Sequence, residues 1–77
     1  MIEIIIKSVE ATIYKGSATE VVLPGLHGTI GIKPNHTNTA VILAKGDIII
    51  KTNSALETIS IKSGLAQITP QKIDVLL

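Results

Sequence analysis

The sequence predicts a single all-β domain, an antiparallel sandwich or barrel. Of its 77 residues, 28 are β-branched: fifteen isoleucines, eight threonines and five valines. Such side chains suit the pleated surface of a strand better than a helix. Turn signals such as Pro24-Gly25 and Lys45-Gly46 recur at short intervals, a spacing typical of antiparallel sheets. No interval is long enough for a crossover helix with its own apolar stripe.

The first predicted strand, residues 2–7, carries apolar side chains on both faces. Alternation puts Ile4 and Ile6 on one face and Ile5 on the other. An exposed, flat and apolar edge strand would invite aggregation. We therefore expect this strand to lie centrally in the sheet or to touch something outside the domain.

The second half of the chain alternates most cleanly between apolar and polar residues. Residues 47–52 and 56–62 predict a β-hairpin, and its loop contains Asn53, which tolerates a positive φ. A turn at Pro70 then leads into a last predicted strand, residues 72–76. The chain contains no repeat, low-complexity tract or linker, so residues 1–77 are expected to form one domain.

The charge pattern argues against nucleic acid as a partner. The chain has seven lysines, six acids and no arginine, for a net charge of +1. Nucleic-acid binders usually cluster basic residues on one face, often beside stacking aromatics. Here the lysines are spread singly, and Tyr14 is the only aromatic residue.

Nothing in the sequence predicts insertion into a membrane. The longest run of aliphatic residues covers only residues 40–44, whereas a spanning helix needs about 20 residues. The start of the chain lacks the basic region and cleavage site of a secretory signal. With no cysteine present, a cytosolic residence is expected.

A partner is expected on energetic grounds. For 77 residues, burial of apolar surface supplies about 110 kcal/mol, and ordering the chain costs about 115 kcal/mol. Small domains in which apolar burial only balances the cost of ordering the chain usually rely on a disulfide, a metal or a partner for stability. Without cysteine, and with only two histidines, the partner is the remaining support.

No catalytic, cofactor-binding or metal-binding residue is predicted. The spacing of Gly25, Gly28 and Gly31 is not that of a nucleotide-binding loop, and no helix follows to receive a phosphate. Neither His27 nor His36 has an acid beside it in a recognisable spacing, as a general base or metal site requires. The glycines instead predict a tight excursion between two strands.

Residues 22–36 resemble the epsilon subunit of the bacterial F-type ATP synthase, called delta in mitochondria. The family shows a glycine turn followed by G-x-x-G-x-x-G-I-x-P-G-H, which this chain matches from Gly25 to His36 with Asn35 in place of the last glycine. Tyr14-Lys15-Gly16, Lys45-Gly46, Ser63-Gly64 and Gln67-Ile68-Thr69-Pro70 continue the match without gaps. The resemblance thus covers essentially the whole chain.

This resemblance implies a flattened β-sandwich of about ten short strands. It also implies a non-catalytic subunit at the foot of the central stalk, without a cofactor. Such a subunit binds the gamma subunit and the polar loops of the c-ring, and couples proton-driven rotation to ATP synthesis. It lies peripherally on the cytoplasmic face of the energy-transducing membrane.

The resemblance also assigns two sets of site residues. The loop that would face the c-ring consists of Gly25, Leu26, His27, Gly28 and Thr29. The positions that would lie at or near the gamma subunit are Ser8, His36 and Val41. Thr29 stands where family members often carry an acid. Asn35 is the best non-glycine residue if that position needs a positive φ.

Two further expectations concern the end of the chain and an alternative function. Family members commonly continue into a C-terminal helical hairpin that can brake ATP hydrolysis and in some binds ATP. Without that hairpin after Leu77, a natural 77-residue subunit would couple without this brake and bind no nucleotide; a piece of a longer protein is the other possibility.

The alternative function is a freestanding β-sandwich adaptor that binds a protein or peptide through an edge strand. A small enzyme using His36 is disfavoured, since no orienting acid accompanies it.

Overall fold

The computed structural model describes all residues 1–77, which fold into nine β-strands without a helix. Because it has no helix, the chain has none that could span a membrane. In chain order, the strands are β1 Ile2–Lys7, β2 Thr12–Ala18, β3 Glu20–Gly25, β4 Gly28–Ile32, β5 Thr39–Leu43, β6 Gly46–Lys51, β7 Leu56–Ile61, β8 Gly64–Ile68 and β9 Lys72–Leu76.

The nine strands form one sheet that curls over itself. The strand order is β2-β1-β9-β8-β5-β3-β6-β7, with β4 on the other edge of β3. Strand β3 pairs with β6 through its first three residues and meets β5 only where Gly25 faces Leu43. This single link divides the sheet into a front layer (β2, β1, β9, β8 and β5) and a back layer (β4, β3, β6 and β7).

The core lies between the two layers and is entirely apolar. Alternation along every strand sends one set of side chains inward, where isoleucine and valine pack well on a pleated surface. No polar or charged residue is buried. The core cluster consists of Ile2, Ile4, Ile6, Ala18, Val21, Leu23, Ile32, Leu43, Ile48, Ile50, Ile61, Ala66, Ile68, Ile73 and Val75.

The structure confirms the predicted all-β class and the sandwich arrangement. Strand β1 lies between β2 and β9, which explains its two apolar faces. Ile5, on the outer side, is only 8% exposed because Lys15 and Asp74 face it from the neighbouring strands. The predicted hairpin is also present, as β6 and β7.

Three details of the fold add to the prediction. The strands number nine, in keeping with the expected ten or so; residues 33–38 form none, because Pro34 lacks an N–H and Asn35 has a positive φ. The sheet is not wholly antiparallel, since the first and last strands run parallel to each other. The loop at Asn53, which tolerates a positive φ, does not use one; it is closed by Thr52, whose backbone and side chain both bond Ala55.

Candidate functional site

The predicted c-ring-facing residues form the tip of the β3–β4 hairpin, which we call the tip loop (Gly25, Leu26, His27, Gly28 and Thr29). Gly25 pairs with Gly28, leaving Leu26 and His27 as a two-residue turn. Gly28 has a φ of 135°, which L side chains rarely adopt. A Cβ on Gly25 would lie 2.6 Å from the carbonyl oxygen of Gly28. Both glycines are therefore required by the geometry of the turn.

The tip loop is held against the front layer. The N–H of Leu26 donates to the carbonyl oxygen of Ile42 over 2.8 Å, and the N–H of Ala44 donates to the carbonyl oxygen of Pro24 over 2.8 Å. These bonds fix the backbone, while the Leu26 side chain remains 55% exposed. The turn thus presents an apolar side chain from a rigid base.

A groove of about 410 Å³ opens between the tip loop and β5. Its floor contains Ile30 and Val41, two half-buried side chains that pack against the core. The groove wall carries no acid or lysine, and His27 is its one titratable side chain. It is therefore suited to an apolar group.

Ser8, predicted to lie near the gamma subunit, caps the turn between β1 and β2. Its hydroxyl accepts from the N–H groups of Glu10 and Ala11 over 3.3 and 3.2 Å, and its own N–H donates to Ala11. Lys7, just before it, pairs with Leu76 at the end of β9. Ser8 is half-buried and marks one end of the front layer.

His36, the second residue predicted to lie near gamma, sits at the opposite end of the front layer. Its Nδ1–H donates to the carbonyl oxygen of Thr37 over 2.7 Å. The preceding Asn35 has a φ of 68°, the conformation for which asparagine is the best non-glycine residue, and its N–H donates to the carbonyl oxygen of Pro70, just before β9, over 2.6 Å. The five residues of β9, roughly 15 Å long, lie between the two ends.

The outer face of the front layer, or front face, carries a row of exposed apolar side chains near its Ser8 end, where Lys7 pairs with Leu76. Ile42, Leu65 and Leu76 face one another on β5, β8 and β9 and are 61%, 39% and 55% exposed. Side chains directly opposite across strands lie close together and act as a unit. We call these three residues the apolar row.

Val41, the third residue predicted to lie near gamma, points away from the apolar row. It pairs with the buried Ala66 and packs against the core, and its free side lines the groove. Ile42, its neighbour, is the β5 side chain that projects from the front face. Sequence reasoning missed Ile42, since residues 40–44 are uniformly apolar and give no alternation that would identify the outward side chain.

The front face also carries an ion pair on β9, between Lys72 and Asp74 at 3.7 Å. On the outer face of the back layer, or back face, polar groups pair across neighbouring strands. The Ser60 hydroxyl donates to Oδ1 of Asp47 over 2.7 Å. Lys51 forms an ion pair with Glu20 at 3.3 Å. Elsewhere in the chain, no group of three or more histidine, cysteine, aspartate or glutamate side chains is arranged to hold a metal, and every buried polar side-chain atom has a hydrogen-bond partner.

Comparison with known proteins identifies the family. The sequence profile of the family described as "ATP synthase, Delta/Epsilon chain, beta-sandwich domain" matches residues 1–77. The ATP synthase epsilon chain of Helicobacter pylori (strain Shi470) is 37% identical over 67 residues, which are 87% of this chain and 54% of the relative. That of Synechococcus sp. (strain CC9311) is 32% identical over 68 residues, 88% of this chain and 50% of the relative.

Solved structures share the fold at low sequence identity. A chain in the cryo-EM structure of the Euglena gracilis mitochondrial ATP synthase (OSCP/F1/c-ring) superposes with a TM-score of 0.89 at 17% identity, covering 97% of this chain and 49% of that one. A chain from the central stalk and c-ring of the Tetrahymena thermophila enzyme gives 0.79 at 8% identity, covering 97% and 61%. The chain spans about half the length of the curated relatives it matches. It belongs to the ATP synthase delta/epsilon family, of which it forms the β-sandwich domain.

Proposed function

We propose that this domain is a non-catalytic part of the central stalk of an F-type ATP synthase. It binds the gamma subunit and the c-ring, and thereby couples proton-driven rotation to ATP synthesis. In that role it lies peripherally at the cytoplasmic face of the energy-transducing membrane, held there through its protein partners. It uses no cofactor of its own.

The observation that carries this proposal is the apolar row on the front face. The row lies beside Ser8, one position implied to lie near gamma, because Lys7 pairs with Leu76; His36, another such position, lies at the opposite end of the same layer. Three neighbouring apolar side chains exposed together are typical of a protein-binding surface. Burial of a leucine or isoleucine side chain contributes about 1.5–3 kcal/mol, so the row can supply much of the affinity for gamma.

The tip loop suits the second contact, with the c-ring. Its rigid base and exposed Leu26 allow a docking surface to transmit force without first ordering a flexible loop, which would cost conformational entropy. Thr29 brings no charge to this contact, although relatives often have an acid there. The contact we propose is therefore driven by apolar burial, and it should depend only weakly on ionic strength.

The test is proton pumping by the assembled ATP synthase in membrane vesicles carrying Leu26→Asp. Placing a carboxylate in a buried apolar contact opposes docking, so we expect ATP-driven pumping to fall at least about tenfold while ATP hydrolysis continues. Leu56→Asp is the matched control, because Leu56 on the back face is similarly exposed (62% against 55%). Equal pumping by the two variants would remove the tip loop from the ring contact.

A further inference from the structure

Strand β4 has a free edge that carries none of the usual protection. Three strands, β2, β4 and β7, each pair on one side only. Strand β2 carries Lys15 and a bulge at its end, and β7 carries Glu57. Charges and bulges are the devices that keep edge strands from pairing with other chains. Strand β4, with the sequence GTIGI, has neither.

The register identifies which backbone groups of β4 are free. In an antiparallel pair, opposed residues alternate between exchanging two hydrogen bonds and exchanging none. Pro24 lacks an N–H and faces Thr29, so this pair is of the unbonded kind, as is the pair two residues further along, at Gly31. The N–H and C=O groups of Thr29 and Gly31 therefore point away from β3, toward the open edge.

The groove described above lies directly behind this edge. Ile30 faces inward from β4, and across the opening Val41 faces inward from β5; both are only half-buried. The sandwich is thus open between β4 and β5. A strand added beside β4 would place every second side chain over Ile30 and the groove, completing the apolar core on that side.

The charges around β4 indicate the kind of segment that fits. Neither β4 nor the lining of the groove contains an acid or a lysine. The acid nearest to β4 is Glu20, whose carboxylate lies beside Gly31 on the outer face and pairs with Lys51. Lys33 follows β4 directly, is exposed, and forms no ion pair. In antiparallel addition, the first residue of the incoming strand lies opposite Lys33. An acid there, followed by alternating apolar residues, matches the edge.

We propose that the β4 edge is a strand-addition site for an extended segment of a partner protein, apolar at alternate positions and acidic at its first residue. Main-chain hydrogen bonds to Thr29 and Gly31 provide affinity, and an apolar side chain in the groove provides selectivity. This site is separate from the apolar row, so the domain can hold such a segment while the front face is engaged. It shares Thr29 and the groove with the tip loop, so the segment and the proposed c-ring contact compete there.

The test uses a fluorescein-labelled probe peptide, Glu-Val-Thr-Ile-Thr-Val, and two variants of the chain. Gly31→Pro removes the free N–H without disturbing the bonds to β3, because an edge strand tolerates proline with its nitrogen facing outward. Gly31→Ala is the matched control: it adds the same Cβ, which meets only the end of the Glu20 side chain at 2.9 Å, and keeps the N–H. We expect Gly31→Pro to bind at least about tenfold more weakly than Gly31→Ala, the equivalent of one to two main-chain hydrogen bonds.

Two further measurements locate the binding. Lys33→Glu should lower the affinity for the peptide by up to about fivefold, as expected for an exposed charge pair at the edge of an interface. Lys62→Glu, beside the β7 edge, should leave that affinity unchanged. Amide NMR signals of Thr29 and Gly31 should shift on titration. Equal affinity for the proline and alanine variants, shifts confined to β2 or β7, or no saturable binding would each overturn the proposal. None of these substitutions touches the apolar row, so that result would leave the proposed stalk function standing.

Discussion

The front and back faces of the sandwich are built from the same kinds of strand but meet their surroundings differently. On the back face, Ser60 bonds Asp47 and Lys51 pairs with Glu20 across neighbouring strands. At the β5–β8–β9 end of the front face, the opposed residues are instead the apolar row. The front face also has an ion pair, between Lys72 and Asp74 on β9 at 3.7 Å, but it presents the apolar row beside that pair.

This difference indicates which face is suited to contact with water and which to contact with another protein. A polar pair on a surface contributes little to stability, yet it keeps a strand soluble and discourages pairing with other chains. An exposed apolar row contributes less to folding than a buried one, and it favours association. On the front face, Asp74 and Lys15 flank Ile5, and Lys7 lies opposite Leu76 at the edge of the apolar row. Ile42 and Leu65 have no charged residue opposite them on β5 and β8, so the apolar row is the part of this face that gains most from a partner.

The largest expected effect comes from replacing two side chains of the apolar row with polar ones. Ile42→Ser combined with Leu65→Ser should weaken binding to purified gamma subunit by at least about a hundredfold, since each lost side chain removes about 1.5–3 kcal/mol of apolar burial. Folding should change little, because both side chains are exposed. Titration calorimetry with gamma measures the first effect and thermal unfolding the second.

Leu56→Ser is the control for this experiment. Leu56 lies on the back face and is as exposed as Ile42, at 62% against 61%. It should leave the affinity for gamma unchanged. If the Leu56 variant weakens binding as much as the front-face pair, the two faces do not differ in function, and the comparison between them fails.

The sequence predicts the first and last strands, but it does not predict the apolar row that distinguishes the front face from the back face. Residues 2–7 and 72–76 were predicted with the bounds that the structure shows, because period-two alternation and turn residues are local signals. The parallel pairing of these same two strands joins the chain ends, and no local pattern encodes it. The apolar row depends on the register of three strands. Its members therefore cannot be identified from the sequence of any single strand.

Local backbone conformation was predictable where one residue type decides it. Asn35 has the positive φ that replacement of a glycine suggests. Asn53 does not, because side-chain and backbone bonds between Thr52 and Ala55 close its loop without one. A residue that tolerates a conformation therefore does not impose it; the hydrogen bonds of the loop decide.

An intermediate effect is expected at Asn35, which holds the His36 end of the front face. Asn35→Ala places a residue without a compensating side chain at φ 68°, and the left-handed region costs about 1–2 kcal/mol for such residues. We expect the Tm to fall by roughly 4–8 °C per kcal/mol for a domain of this size. Asn35→Gly should unfold at or above the original Tm, since glycine adopts this φ without strain. A drop with glycine as large as with alanine would show that the side chain, and not φ, matters.

The smallest effect is expected on the back face, at Ser60. Ser60→Ala removes the 2.7 Å hydrogen bond to Asp47, but both residues are exposed, so water replaces the lost donor. We expect the free energy of unfolding to change by about 0.5 kcal/mol or less and the affinity for gamma not to change at all. Urea unfolding and calorimetry measure the two quantities. A loss of gamma binding with Ser60→Ala would place a partner on the back face, and the self-satisfied polar pairs there would then have to be interpreted as part of an interface.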